Sequence, residues 1–183
     1  MAAPQSLKEI LSALESGSRE IEVFFRALPR DAFFAGDETR WGPAHHLSHL
    51  TLAYKRLGRA FASPAALPPH DGAPARTLEQ LSAAYATRIS QVPAEQLLRN
   101  PLPPRVGPES VQADLVSEYA TASANLRELA GKWSDADCDA RAVPHPFLGL
   151  LSAREMLLFF VMHDRRHYDG VRRRLDAEGS REA

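Results

Sequence analysis

The chain has 183 residues, of which 44% are hydrophobic and 25% are charged, and this globular composition excludes intrinsic disorder over most of its length. Lysine and arginine number 22 against 23 aspartates and glutamates, so the formal net charge of −1 argues against nucleic-acid binding driven by bulk charge. The single cysteine, Cys138, excludes an intrachain disulfide and fits a reducing compartment.

The N-terminus lacks the basic and apolar regions of a secretory signal. The longest apolar run, residues 156–162, is far shorter than the ~20 residues of a membrane-spanning helix. We therefore expect a cytoplasmic protein with no membrane association. The length predicts one domain over residues 1–183, with the last few residues disordered.

Apolar residues recur at helical spacing in five segments of the chain. These segments predict four long helices and one shorter one, over residues 7–28, 43–61, 77–92, 109–132 and 152–175. The shorter helix is the one over residues 77–92. Proline-rich or polar loops separate the helices, and one of these loops covers residues 133–151. No segment shows convincing strand alternation. The predicted fold class is therefore all-α, a four-helix bundle with an additional short helix in the connection after helix two.

Two histidines lie four residues apart on the last predicted helix. His163 and His167 share a face with Met156 and Phe160, which places both imidazoles toward the interior of the bundle. Two neutral imidazoles in this arrangement can donate two nitrogens to one metal ion, and the alternative is a pair of hydrogen-bonded core histidines. Asp164 stands where an HExxH protease has its glutamate, which excludes that mechanism; we interpret Asp164 as a surface or interhelical charge.

A third ligand is available on the second predicted helix, which carries His45, His46 and His49. Three histidines with one open position are typical of a catalytic metal site rather than a structural one. The helical wheel slightly favours His46 as the third ligand, because it lies closer than His49 to the centre of the apolar stripe.

Two segments resemble the DinB/YfiT-like superfamily. Residues 41–50 (WGPAHHLSHL) are similar to its helix-two signature, and residues 145–152 (HPFLGLLS), followed by HDRRH at 163–167, are similar to its last loop and helix. The resemblance implies a helical bundle in which three histidines bind a divalent metal ion, often nickel or zinc. Matched position by position, the implied ligands are His49, His163 and His167, and we follow this assignment over the helical-wheel preference.

The resemblance also implies a range of activities, because members of the superfamily include transferases and isomerases that use low-molecular-weight thiols such as bacillithiol or mycothiol. Our hypothesis is a metal-dependent thiol S-transferase or hydrolase that activates a thiol or water against a small electrophilic substrate. Cys138 lies among three aspartates, which disfavour its thiolate, so we do not expect it to be the nucleophile. His145 is a candidate for the pocket wall, or alternatively a turn residue before Pro146.

The alternative hypothesis is a non-catalytic, stress-related binding module with a structural or vestigial metal site. Arginines at positions 165, 166 and 172–174 form a basic end to the last helix, which is the kind of patch that contacts phosphates. Acidic residues interleave with these arginines, which argues against nucleic-acid binding. An apolar face of the bundle could also pair two copies as a homodimer.

Overall fold

The computed structural model describes residues 6–37, 39–99 and 102–182. In these ranges the α-helices are α1 (Leu7–Ala27), α2 (Arg30–Phe33), α3 (Pro43–Ala62), α4 (Leu78–Ile89), α5 (Ala94–Leu98), α6 (Gln112–Ala130), α7 (Asp135–Ala140) and α8 (Ala153–Glu182). A 3-10 turn covers Pro64–Ala66, and two short strands, β1 (Ala142–His145) and β2 (Gly149–Ser152), pair as an antiparallel hairpin. The all-α prediction is confirmed.

The four long helices form the bundle. Helix α3 packs against α6, α6 against α1, α1 against α8, and α8 against α3, while the short helix α4 packs on α8. The apolar stripes that predicted these helices meet in one core, whose largest fully buried side chains include Ile10, Leu14, Phe25, Leu47, Leu50, Tyr54, Tyr119 and Leu126. The bundle is therefore held by the periodic apolar faces of its long helices.

The loop predicted over residues 133–151 is wrong, because this segment contains α7 and the hairpin. Strands of four residues are too short to show a clear alternation, and Pro144 within β1 argues against a strand. The connection of residues 146–148 is followed by Gly149 at φ +74°, a backbone conformation that glycine adopts without strain. Val143 and Leu151 lie opposite each other and are buried, so this pair attaches the hairpin to the bundle.

The start of α8 agrees with the sequence prediction. Ser152 accepts a hydrogen bond from the Glu155 N–H at 3.1 Å, and the Glu155 carboxylate accepts one from the Ser152 N–H at 3.0 Å, which forms the expected capping box. The helix continues to Glu182, beyond the predicted end at about 175. The expected disorder of the last few residues stays a prediction, and Ala183 lies outside the described residues.

No helix in the described ranges combines the length and the apolar character that crossing a membrane requires.

Candidate metal centre

Three histidines from two helices converge in the bundle. His49 comes from α3, and His163 and His167 come from successive turns of α8. The Nε2 atom of His163 lies 3.4 Å from Nε2 of His49 and 3.1 Å from Nε2 of His167. His49 and His163 are buried and His167 is half-buried. The structure thus brings together the three residues that the resemblance implied.

The second ring nitrogen of two of these histidines has a defined partner. The Nδ1 atom of His49 lies 2.8 Å from the carbonyl oxygen of Leu102, which can only accept, so Nδ1 carries the hydrogen and Nε2 keeps its lone pair. The Nδ1 atom of His167 lies 2.8 Å from Nδ1 of His46, and one of these two nitrogens donates to the other. If His167 is the donor, its Nε2 lone pair is also free to bind a metal ion.

His163 differs from the other two. Its Nδ1 atom is buried without a hydrogen-bond partner in the described part of the chain. Among the described residues, its Nε2 atom has only the Nε2 atoms of His49 and His167 within hydrogen-bond distance. Burying an imidazole with so few partners costs free energy, which a metal ion at Nε2 would offset.

The donor set fits a divalent metal ion. Nitrogens at roughly 2.0–2.1 Å from a tetrahedral zinc lie about 3.4 Å from each other, which is close to the observed Nε2 separations. The three ligand atoms all lie within 4.8 Å of one another. This histidine cluster is therefore compatible with metal binding.

The surroundings keep the cluster neutral. Burial lowers the pKa of His49, and it lowers the pKa values of His163 and His167 well below the ordinary range for histidine, with repulsion among the histidines adding to the effect. Burial also lowers the pKa of His46 to about 4. Neutral imidazole is the form that binds metals, so the lone pairs are available at neutral pH.

His46, which the helical wheel slightly favoured as the third ligand, lies beside the cluster. It contacts His167 through Nδ1 and packs against the ring of Trp41, with ring centroids 5.6 Å apart. Trp41 also packs against His49, at a centroid distance of 5.2 Å. Trp41 and His46 thus support two of the three converging imidazoles.

Asp164 is interhelical, and it is fully buried rather than at the surface. Its Oδ2 atom accepts hydrogen bonds from the hydroxyl groups of Tyr54, at 2.7 Å, and Tyr119, at 3.0 Å, whereas Oδ1 has no partner in the described ranges. Burial raises the pKa of Asp164 to about 7, and the two tyrosine hydrogen bonds act in the opposite direction. Asp164 therefore links α3, α6 and α8 behind the histidine cluster.

A cavity of about 210 Å³ adjoins the cluster and is lined in part by His49 and His163. His145 lines the same cavity, in agreement with the predicted role in the pocket wall. Its Nδ1 atom also accepts hydrogen bonds from the N–H groups of Phe147 and Leu148, in agreement with the alternative role in a turn. His145 is thus both a pocket residue and a turn residue. The additional helix α4 contributes Tyr85 to the cavity wall.

Other candidate residues take no part in the site. Cys138 is buried in α7, does not line the cavity, and has its pKa raised to about 12, chiefly by burial, so its thiol is neutral. This agrees with the expectation that Cys138 is not a nucleophile. His70 also lies outside the site, and its side chain is only 10% exposed because its loop pairs with the residues preceding β1.

Several residues at the site were not predicted from the sequence, among them Leu102, Tyr85 and Arg56. No local signal marks Leu102 and Tyr85, because they reach the site from elements other than α3 and α8. Arg56 lies seven residues after His49 on the same face of α3, and this spacing could have indicated it.

A comparison with known protein families matches a family model described as the DinB superfamily to residues 13–169, which is most of the chain. The chain belongs to the DinB superfamily. The match covers all four long helices in whole or in part and contains every residue of the histidine cluster, which confirms the resemblance seen in the sequence. No curated protein and no solved structure was found to match. Membership of the DinB superfamily supports the fold and is compatible with a metal site, and it does not by itself define a reaction.

Proposed function

We propose that this DinB-superfamily protein binds one divalent metal ion, zinc or nickel, through the Nε2 atoms of His49, His163 and His167. The observation that carries this proposal is the convergence of the three Nε2 atoms, at separations of 3.1 and 3.4 Å around His163. The absence of any carboxylate from the set leaves the full charge of the ion uncompensated by its protein ligands.

We further propose that the site is catalytic, as a thiol S-transferase or a hydrolase. A divalent ion with three neutral ligands and an open position acts as a Lewis acid that lowers the pKa of a thiol or water. The cavity beside His49 and His163 gives a small substrate access to that position. In this proposal the reaction takes place at the end of the cavity that is lined by His49 of α3 and His163 of α8.

The protein's own groups have positioning roles in this proposal. The Leu102 carbonyl and His46 orient the imidazoles of His49 and His167 through their Nδ1 atoms. Cys138 is buried and neutral, and none of the described residues that line the cavity is a serine, cysteine or lysine. The nucleophile is therefore a molecule bound from solution, a low-molecular-weight thiol or water.

Metal analysis tests the binding step directly. Wild-type protein purified without a histidine tag and reconstituted with zinc or nickel should contain about one equivalent of metal. His163→Ala should lose it, while the control His70→Ala, which removes a histidine outside the cluster, should keep it. Wild-type protein without metal after reconstitution would overturn the metal proposal and favour a binding module with core histidines.

Turnover tests the catalytic step. Metal-loaded wild type is assayed with small electrophiles, in the presence and absence of bacillithiol or mycothiol. We expect consumption of an electrophile that depends on both the metal and His163. Consumption that requires the thiol indicates a transferase, and consumption with water alone indicates a hydrolase.

A further inference from the structure

The cavity beside the histidine cluster follows one face of α3. His49, Ala53, Arg56 and Ala60 recur at helical spacing along this face, and all four line the cavity. Ala53 and Ala60 have no side chain beyond Cβ, so they leave room that larger residues would fill. The helical rise places Arg56 about 10 Å along the axis from His49, so a molecule in the cavity can contact both ends.

The opposite walls are aromatic. The ring of Phe159 lies 5.0 Å from the ring of Tyr85 and 4.3 Å from that of His145, measured between centroids, and Phe147 completes the wall. An apolar cavity of about 150 Å³ is large enough to bind benzene. The 210 Å³ here therefore accommodates an aromatic ring or a branched alkyl group with a short substituent.

Besides His49 and His163, two residues of the cavity wall, Arg56 and His145, offer hydrogen-bond donors. Arg56 is exposed at the cavity and has no carboxylate partner in the described part of the chain, and none of the described residues that line the cavity is an aspartate or glutamate. The Nδ1 atom of His145 accepts from two N–H groups, which leaves the hydrogen on Nε2, and Nε2 has no hydrogen-bond partner in the described ranges. An apolar cavity with one cation and one neutral donor, and without an anion, is complementary to an acid.

We infer that the substrate of this site is a small apolar carboxylic acid, aromatic or branched, whose carboxylate binds Arg56 and whose apolar body lies between α3 and the aromatic wall. Its role as a substrate depends on the proposed function, since the reacting atom would lie toward His49 and His163. The binding step itself requires only the cavity and Arg56.

Binding of a matched pair of probes to metal-free protein tests the inference. Phenylacetate and its neutral isostere phenylacetamide are titrated into chelator-treated protein and followed by calorimetry or ligand-observed NMR. We expect phenylacetate to bind about tenfold or more tightly than the amide, because the charged hydrogen bond to Arg56 is lost in the amide. Equal binding of the two probes, or no binding of phenylacetate, would overturn the inference.

Variants locate the contact. Arg56→Gln should weaken phenylacetate binding about tenfold or more and leave phenylacetamide unchanged. The control Arg59→Gln removes an exposed arginine of α3 that does not line the cavity, and it should bind phenylacetate like the wild type. Ala53→Leu should abolish binding of both probes by filling the cavity. Equal losses in Arg56→Gln and Arg59→Gln would indicate a general charge effect and contradict the proposed contact.

Metal content measured on the same preparations separates the two proposals. Protein that binds one equivalent of metal but no phenylacetate refutes the substrate class and leaves the metal site intact. Protein that binds phenylacetate through Arg56 but no metal refutes the proposed function and supports the cavity as an acid-binding site.

Discussion

At the level of single side chains, the three converging histidines differ in the partner of their second ring nitrogen. That of His49 donates to a backbone carbonyl, that of His167 contacts His46, and that of His163 is buried without a partner in the described part of the chain. Partners of this kind hold the ring orientation and the tautomer of a ligand. His46 is therefore a positioning residue for His167, although the helical wheel had favoured it as a ligand.

His46→Phe tests this role. The variant keeps a flat ring beside Trp41 but removes the hydrogen-bond partner of His167, so we expect metal affinity to fall roughly 10–100-fold while the stoichiometry stays at one. Competition with a chromogenic chelator measures the affinity. His70→Phe is the control, and an unchanged affinity in His46→Phe would show that the contact with His167 has no positioning effect.

The pKa of His145 makes stability depend on pH. Burial lowers this pKa from 6.5 to about 4, with the charge of Arg76 as a smaller cause. Between these two values the unfolded chain binds a proton that the folded chain does not, so stability present above pH 6.5 is lost as the pH falls toward 4. The loss attributable to His145 is roughly 3 kcal/mol at most.

A comparison of wild type with His145→Gln in metal-free protein isolates this effect. Glutamine does not titrate, and its side-chain oxygen can accept hydrogen bonds from the same N–H groups, those of Phe147 and Leu148. We expect the free energy of unfolding of the variant to fall less steeply between pH 6.5 and 4, measured by urea denaturation at several pH values. If the free energies of unfolding of the two proteins fell in parallel with pH, the pH dependence could not be attributed to His145.

At the level of elements, the carboxylate of Glu155 links the start of α8 to the loop before α4 through hydrogen bonds with Arg76. Glu155 is 3% exposed, and its Oε1 atom accepts from the backbone N–H of Arg76 at 3.0 Å and from its guanidinium Nε at 2.7 Å. The same carboxylate caps the helix through Ser152. This contact therefore holds the segment before α4 against the helix that carries His163 and His167.

Arg76→Met tests the contribution of the Arg76–Glu155 ion pair to stability. The variant leaves the buried Glu155 carboxylate without its cation, and we expect the free energy of unfolding to fall by roughly 1.5–3 kcal/mol. Urea denaturation measures the change. Lys132→Met, which breaks an exposed pair with Glu128 at the C-terminal end of α6, is the matched control and should stay within about 0.5 kcal/mol of wild type. Similar losses in both variants would contradict a special role for the buried pair.

At the level of the whole molecule, Asp164 joins three of the four long helices. Tyr54 of α3 and Tyr119 of α6 donate to the same carboxylate oxygen on α8, and their rings lie 5.7 Å apart. Burial raises the pKa values of both hydroxyls, and the charge of Asp164 adds to this, so both remain donors. The polar group behind the histidine cluster thus fixes how α3 and α8 face each other.

A double-mutant cycle tests this link. Tyr54→Phe and Tyr119→Phe should each lower the free energy of unfolding by roughly 1–3 kcal/mol, because a buried carboxylate loses a donor. The double variant should deviate from additivity, since both hydroxyls share one acceptor. Tyr168→Phe on α8 is the control, as that hydroxyl has no hydrogen bond in the described ranges. Additive losses no larger than the control would contradict the link.

The periodicity of the sequence was sufficient to predict the long helices and the inward orientation of His163 and His167. Both are local properties, since residues four apart on one helix share a face whatever lies opposite. The capping box at Ser152 and Glu155 is local in the same sense, and the structure confirms it. The hairpin was missed because its strands are short and contain a proline.

The sequence by itself determined the long helices, the all-α class and the histidine pair, and its resemblance to a family indicated His49 as the third member of the cluster. Only the tertiary structure decided the partner of each ring nitrogen, the burial of Asp164 and the cavity that Arg56 and His145 share. These features depend on which side chains of distant elements lie opposite each other, and a helical wheel contains no information about the neighbouring helix.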